Sequence, residues 1–241
     1  MSIHNFNELN DFIAGQLLLM EKPLFWTSFD LVKKVKSVIE KKLRQTDNER
    51  GRVKVGHAGT LDPLADGLMI LATGAKTKEL HNLQTQDKKY RAVIELGKTT
   101  PSFDLETQHE NILPYSFVTR EDVEKVIYGF IGEIEQTPPV YSAKRVKGKR
   151  AYHSARAGRK LDMSKNLVRI DHIGMIDFDL PLITLSISCG KGTYVRSLAN
   201  DIGVQLKTGA HLVGLTRTHI GPYKLNNALS IEEFEEKIRY L

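Results

Sequence analysis

The densest run of unusual residues is Gly56-His57-Ala58-Gly59-Thr60-Leu61-Asp62-Pro63-Leu64-Ala65-Asp66-Gly67, followed by the apolar stretch Leu68 to Ala72. Small residues crowd around one carboxylate, Asp62. Glycines permit tight turns and close backbone approach, and a proline after Asp62 steers that residue away from helical geometry. The pattern suits an active-site loop that exposes Asp62 beside a buried strand; it also suits a turn in which Asp62 only caps the next segment. Competing signatures fail on counting. Gly74-Ala75-Lys76-Thr77 resembles the end of a phosphate loop, but Ala75 and Ile70 stand where glycines are required. Gly190-Lys191-Gly192 lacks the third glycine of a dinucleotide fingerprint, no His pair has metalloprotease spacing, and Asp62 and Asp66 are too far apart for a phosphatase nucleophile pair. The eight His are scattered along the chain, so no metal is expected.

A second feature is electrostatic. Between Tyr141 and Leu161 stand Lys144, Arg145, Lys147, Lys149, Arg150, Arg156, Arg159 and Lys160, with no acidic residue and with Tyr141, Tyr152 and His153 interleaved. Cations neutralise phosphates and release counterions, while planar side chains offer stacking surfaces to unpaired bases. The stretch reads as a nucleic-acid footprint on an arm projecting from the core, the alternative being a solvated basic loop.

The elements that must position these residues follow from periodicity. Gln16 to Met20 reads as a strand ending at Lys22-Pro23, and Thr27 with Asp30 opens a helix carried by Val32, Val35, Val38 and Ile39. A polar linker is expected from Lys41 to Lys54. Tyr90 to Leu96 alternates as a strand ended by Gly97, and Thr119 with Asp122 starts a helix. Leu167 to Phe178 and Leu182 to Cys189 form an antiparallel pair around Pro181. A helix spans Tyr194 to Leu206, and Ser230 with Glu233 begins the last one. The expected fold is α+β, a mixed, largely antiparallel sheet with flanking helices.

A chain of 241 residues is long enough for one large core. Lys and Arg number 35 against 29 Asp and Glu, and this excess favours polyanionic partners. Cys189, the single cysteine, excludes an internal disulfide framework and points to a reducing, cytoplasmic setting. No apolar run approaches the ~20 residues that cross a bilayer, so no membrane is expected as a partner.

Taken together, the Asp62 segment resembles the tRNA pseudouridine-55 synthases, the TruB family. The resemblance extends through Gly74-Ala75-Lys76-Thr77-Lys78, Lys89-Tyr90, Pro138-Pro139-Val140-Tyr141-Ser142-Ala143-Lys144, Gly192-Thr193-Tyr194-Val195-Arg196-Ser197-Leu198 and Gly209-Ala210-His211-Leu212. These blocks fall in the family's order from about Gly15 to Tyr223.

The resemblance implies a pseudouridine synthase fold and an enzyme that isomerises uridine 55 in the T-loop of tRNA, without a cofactor. Asp62 matches the essential aspartate, and Arg196 the arginine paired with it; an opposite charge within ~4 to 6 Å favours an ionised carboxylate. Arg196 also conflicts with its own surroundings, because a cation in the first turn of a helix is mildly unfavourable. Tyr90 matches the tyrosine that stacks on the target base, although an aromatic at the start of a strand is otherwise usually core. By the same resemblance His57 fills the gap left by the departing uridine, Tyr194 and Leu215 line the uracil pocket, and Asp104 and Lys22 bind substrate. Phe25-Trp26, after Lys22-Pro23, replaces residues that are commonly small in the family. The basic arm, about 139–166 and including Tyr141, Lys144, Arg145, Lys147, Lys149, Arg150 and Arg156, coincides with the insertion that closes over the T-loop. The resulting expectation is one catalytic domain over 1–241, monomeric, with this RNA-binding insertion and no separate C-terminal RNA-binding domain, and with the T-arm and elbow of tRNA as partner. Two alternatives stay open: an RNA-binding module that folds tRNA without chemistry, and a synthase acting on other RNAs.

Overall fold

The computed structural model of the protein describes residues 6–46, 51–142, 145–146, 149–150 and 163–241. Among them the helices are α1 (Asn10–Ala14), α2 (Ser28–Gln45), α3 (Leu80–Thr85), α4 (Arg120–Tyr128), α5 (Val195–Gln205) and α6 (Ile231–Arg239). The strands are β1 (Leu17–Lys22), β2 (Val55–His57), β3 (Asp66–Thr73), β4 (Lys88–Leu96), β5 (Lys98–Thr99), β6 (Asn111–Ile112) and β7 (Gly132–Gln136). They continue with β8 (Arg145–Val146), β9 (Lys149–Arg150), β10 (Asn166–Asp179), β11 (Leu182–Cys189), β12 (Ala210–Ile220) and β13 (Tyr223–Lys224). By its internal contacts the chain divides into two compact units, Met1–Lys88 with Thr216–Leu241, and Lys89–Leu215.

In the first unit β3 is the organising strand. Its run Gly67 to Thr73 is buried throughout, as a strand covered on both faces must be. β1 and β2 pair with it antiparallel, and the end of β12 pairs with it in parallel, Thr216 opposite Asp66 and Arg217 opposite Gly67. α2 begins at a reciprocal cap in which the Thr27 hydroxyl accepts from the Asp30 N–H and the Asp30 carboxylate accepts from the Thr27 N–H. It buries Leu31, Val32, Val35, Ile39 and Leu43 along one stripe. The linker expected from Lys41 begins later than that: the helix continues to Gln45, because Leu43 among the basic residues extends the apolar stripe by another turn.

The second unit is built on the hairpin of β10 and β11, which turns at Leu180-Pro181, with β7 antiparallel on the outer side of β10. β4 neighbours β11 in the sheet order. Alternate residues Ala92, Ile94 and Leu96 of β4 and Ile183, Leu185, Ile187 and Cys189 of β11 enter one core. Leu198, Ala199 and Ile202 of α5 join them at helical spacing. The capping boxes at Thr119 and Ser230 are both present. The mixed, largely antiparallel α+β architecture is therefore the one expected, and the pairing of β3 with β12 contributes parallel character.

Candidate active site

Asp62 sits on a short connection between β2 and β3, and the backbone on both sides of it is fastened. Before it, the hydroxyl of Ser28, in the first turn of α2, accepts from the Leu61 N–H at 2.8 Å and donates to the Leu61 carbonyl at 2.9 Å. After it, the Ala65 N–H closes a turn onto the Asp62 carbonyl at 3.1 Å, and the Phe25 N–H donates to the Pro63 carbonyl at 2.8 Å. The side chain of Asp62 is half-buried. Its backbone therefore has little freedom, and the carboxylate is aimed by the fold.

Two buried cations accompany this loop. Arg217, 1% exposed, donates from Nε to the Leu68 carbonyl at 2.8 Å and from Nη2 to the Gly59 carbonyl at 3.2 Å. Gly67 lies against it with φ +101°, and a Cβ there would stand 2.5 Å from the Arg217 carbonyl oxygen, so this crossing admits only glycine. Lys22 is 0% exposed, and its ammonium donates to the carbonyls of Pro23 at 2.8 Å and Trp26 at 2.7 Å. Burial pushes the Lys22 ammonium down to about 8, while the charges of Asp66 and Asp62 hold its proton on and Arg217 opposes them. The attraction is mutual, so the Lys22 charge also acts on the two carboxylates. Buried Oδ1 of Asp66 has no hydrogen-bond partner among the described residues, and the Asp66 charge acts on Lys22. His57 is half-buried, and burial lowers its pKa against a hydrogen bond at Gly59, so the ring is neutral at physiological pH.

In the second unit Arg196, in the first turn of α5, puts Nη1 3.4 Å from Oδ2 of Asp104 and 3.4 Å from the Ser102 carbonyl. Asp104 belongs to a loop knotted on itself: the Thr100 hydroxyl donates to the Asp104 carbonyl at 2.7 Å, and Asp104 Oδ1 accepts from the Glu106 N–H at 2.9 Å. Tyr194, the residue before α5, is gripped by the side-chain amide of Gln136, which accepts from the Tyr194 N–H at 2.7 Å and donates to its carbonyl at 3.1 Å. Tyr90 and Leu215 are partly buried against the core of this unit.

Of the residues expected at the site, Lys22, His57 and Asp62 belong to the first unit and Tyr90, Asp104, Tyr194, Arg196 and Leu215 to the second. Arg196 and Asp104 are in direct contact. Tyr141 is half-buried; for the rest of the arm, Lys144, Lys147 and Arg156 lie outside the described residues, and Arg145, Lys149 and Arg150 are described only as the backbone of the β8 and β9 hairpin. Sequence reasoning missed Ser28, Arg217 and Gln136. Ser28 was within reach as the residue after a capping threonine, but nothing in the sequence relates it to Leu61.

The model of the TruB family pseudouridylate synthase N-terminal domain matches residues 43–195, and that of the tRNA pseudouridylate synthase B C-terminal domain matches residues 196–240. A tRNA pseudouridine synthase B of Parabacteroides distasonis is 49% identical over 226 residues, 94% of each chain. Another, of Flavobacterium johnsoniae, is 40% identical over 229 residues, 95% of this chain and 98% of its own. Among solved structures, a Cbf5-Nop10-Gar1 complex aligns with TM-score 0.70 at 24% identity, and an archaeal box H/ACA Nop10-Cbf5 complex with TM-score 0.67 at 22%. Both alignments cover 95% of this chain, which spans only 56% and 55% of those chains, and they establish a shared fold.

Proposed function

This chain belongs to the TruB family of pseudouridylate synthases, and from that premise we propose that it acts on uridine 55 in the T-loop of tRNA, with Asp62 as the attacking group. It is an enzyme that isomerises uridine to pseudouridine in tRNA, the reaction for which its curated relatives are named. The bond from N1 to C1′ breaks, the uracil turns, and C5 joins C1′; the C5 proton leaves and N1 gains one, so the step is redox-neutral. An ionised carboxylate can attack C1′ directly or assist elimination to a glycal, and either route needs a fixed, unprotonated oxygen.

The observation that supports this reading best is the loop at Asp62, held by Ser28 and Phe25 and accompanied by the buried ammonium of Lys22. We assign Tyr90 to stacking on the extruded base and removing the C5 proton, Tyr194 and Leu215 to lining the uracil, and His57 to the gap the base leaves. Arg196 is assigned as counter-charge to the Asp62 carboxylate on the strength of the family resemblance. Because Lys22 has no exposed surface, its role is to position Asp62 electrostatically and not to touch RNA. Extrusion of a base costs a few kcal/mol, offset in this reading by contacts that the basic arm at 139–166 makes on closing over the T-arm and elbow. The protein acts as a monomer in the cytoplasm, with its core and arm serving one catalytic domain.

Tritium release from uracil C5 in a T-loop stem tests the assignment. Asp62→Asn is expected to lose at least about a thousandfold in turnover while unfolding as the wild type does. Retained turnover removes Asp62 from the mechanism. Mapping of modified positions in total RNA from a deletion strain tests the substrate: pseudouridine still present at tRNA position 55 would reject it.

A further inference from the structure

Folding brings together, in the second unit, three side chains that are scattered in sequence: Glu95 of β4, His109 of the loop between β5 and β6, and His211 of β12. One ligand atom from each lies within 4.8 Å of the others. The rings of His109 and His211 stand 5.0 Å apart at 64°.

His211 is the decisive member. It is 0% exposed, and its Nδ1 lies 3.3 Å from the carbonyl of Lys98. A carbonyl can only accept, so this contact puts the ring hydrogen on Nδ1 and leaves Nε2 with a lone pair. That lone pair is buried without a hydrogen-bond partner among the described residues and faces Oε2 of Glu95 at 3.4 Å. Two acceptors confront each other, an arrangement that calls for a cation between them.

We propose that Glu95, His109 and His211 bind a divalent transition-metal ion of the zinc class. Metal bonds of ~2.0 to 2.2 Å at a tetrahedral angle separate two ligand atoms by about 3.4 Å, the distance between Nε2 and Oε2 here. Two imidazoles and a carboxylate suit zinc, with cobalt and nickel as substitutes, and leave a fourth position to water. The Lys98 carbonyl has the place of an outer-shell group that fixes the tautomer and aims the ring. The ammonium of Lys98 holds Oε1 of Glu95 at 2.6 Å, so Glu95 coordinates through Oε2 alone, and the lysine charge moderates the affinity. An ion here ties the loop that carries Asp104 to β4 and β12, the two strands supplying the other ligands.

The test uses the full chain after dialysis against a chelator. Zinc chloride is expected to bind with one equivalent by calorimetry and to raise the unfolding temperature. Cobalt chloride is expected to give the intense visible bands of a tetrahedral ion. His109→Ala removes an exposed ligand and so leaves the metal-free protein as stable as before. It should weaken zinc binding at least ~10-fold and abolish the cobalt bands. Glu95→Gln should do the same. Absence of zinc binding, or binding and cobalt bands that persist unchanged in His109→Ala, would overturn the proposal.

Discussion

Nη1 of Arg196 lies 3.4 Å from Oδ2 of Asp104, and the two side chains are 4% and 6% exposed. This pair resolves the conflict of a cation in the first turn of α5: the compensating charge comes from a loop far away in sequence. A buried pair adds little net stability when formed, but removing one member deprives the other of a buried counter-charge, at a cost of up to ~3 to 5 kcal/mol. Asp104→Ala should therefore destabilise the protein by about 3 kcal/mol in denaturant unfolding. The double variant Asp104→Ala/Arg196→Met should cost less than the two single changes together by about 1 kcal/mol or more. Additive losses would mean that the two side chains are neighbours without being coupled.

Ser28 offers a cleaner separation of positioning from chemistry. Its hydroxyl is the shared partner of both backbone groups of Leu61, the residue before Asp62. Ser28→Ala strands a buried N–H and a carbonyl, at ~1 to 3 kcal/mol of stability. Asp62 then sits on a looser loop, and small misplacements of a reacting group are costly in rate. The expected signature is a fall in kcat about tenfold or greater, with KM for a T-loop stem nearly unchanged. A change confined to KM would place Ser28 in RNA binding instead.

Lys22 gives the protein a pH dependence of definite sign. Its ammonium keeps its proton to about 10.5 when unfolded but only to about 8 when folded. Between these values the unfolded state binds more protons, so the Lys22 contribution to the unfolding free energy rises with pH. The burial penalty is present in full below about pH 8 and fades toward 10.5. Activity should move in the opposite direction, because the neutral amine no longer attracts the Asp62 carboxylate that it positions. Unfolding of wild type and Lys22→Met at about pH 7 and about pH 10 checks the first part: the variant should lose the upward slope. A turnover profile falling with a midpoint near 8 checks the second. Equal slopes in the two proteins would show that Lys22 is not the titrating group.

Local chemistry made much of this molecule legible before its fold was known. The capping boxes at Thr27, Thr119 and Ser230 and the hairpin of β10 and β11 are each specified by residues close in sequence. The Asp62 loop announced itself through glycines and a proline. β12 did not, because His211, Thr216, Arg217 and Thr218 interrupt any apolar alternation, and the burial of Arg217 goes with hydrogen bonds to the distant carbonyls of Leu68 and Gly59. The same is true of Gln136, whose amide clamps Tyr194 across 58 residues. Polar groups satisfied by distant backbone leave no periodicity to read, and they account for most of what the sequence withheld about the site.

The cations between Tyr141 and Leu161 lead to the last prediction, which rests on charge alone. Each Lys or Arg that neutralises a phosphate contributes roughly 0.7 to 0.9 to the slope of log binding constant against log salt concentration. Replacing Lys147, Lys149, Arg150 and Arg156 together by Ala should therefore flatten that slope for a tRNA transcript by up to ~3. Affinity at low salt should fall, and the unfolding midpoint should stay where it is, because no apolar periodicity links this stretch to a core. Filter binding over a salt series, run beside thermal unfolding, reads both quantities. A slope equal to that of the wild type would assign these charges to solvent and move the RNA contact elsewhere, whereas a lowered unfolding midpoint would make the arm part of the folded core.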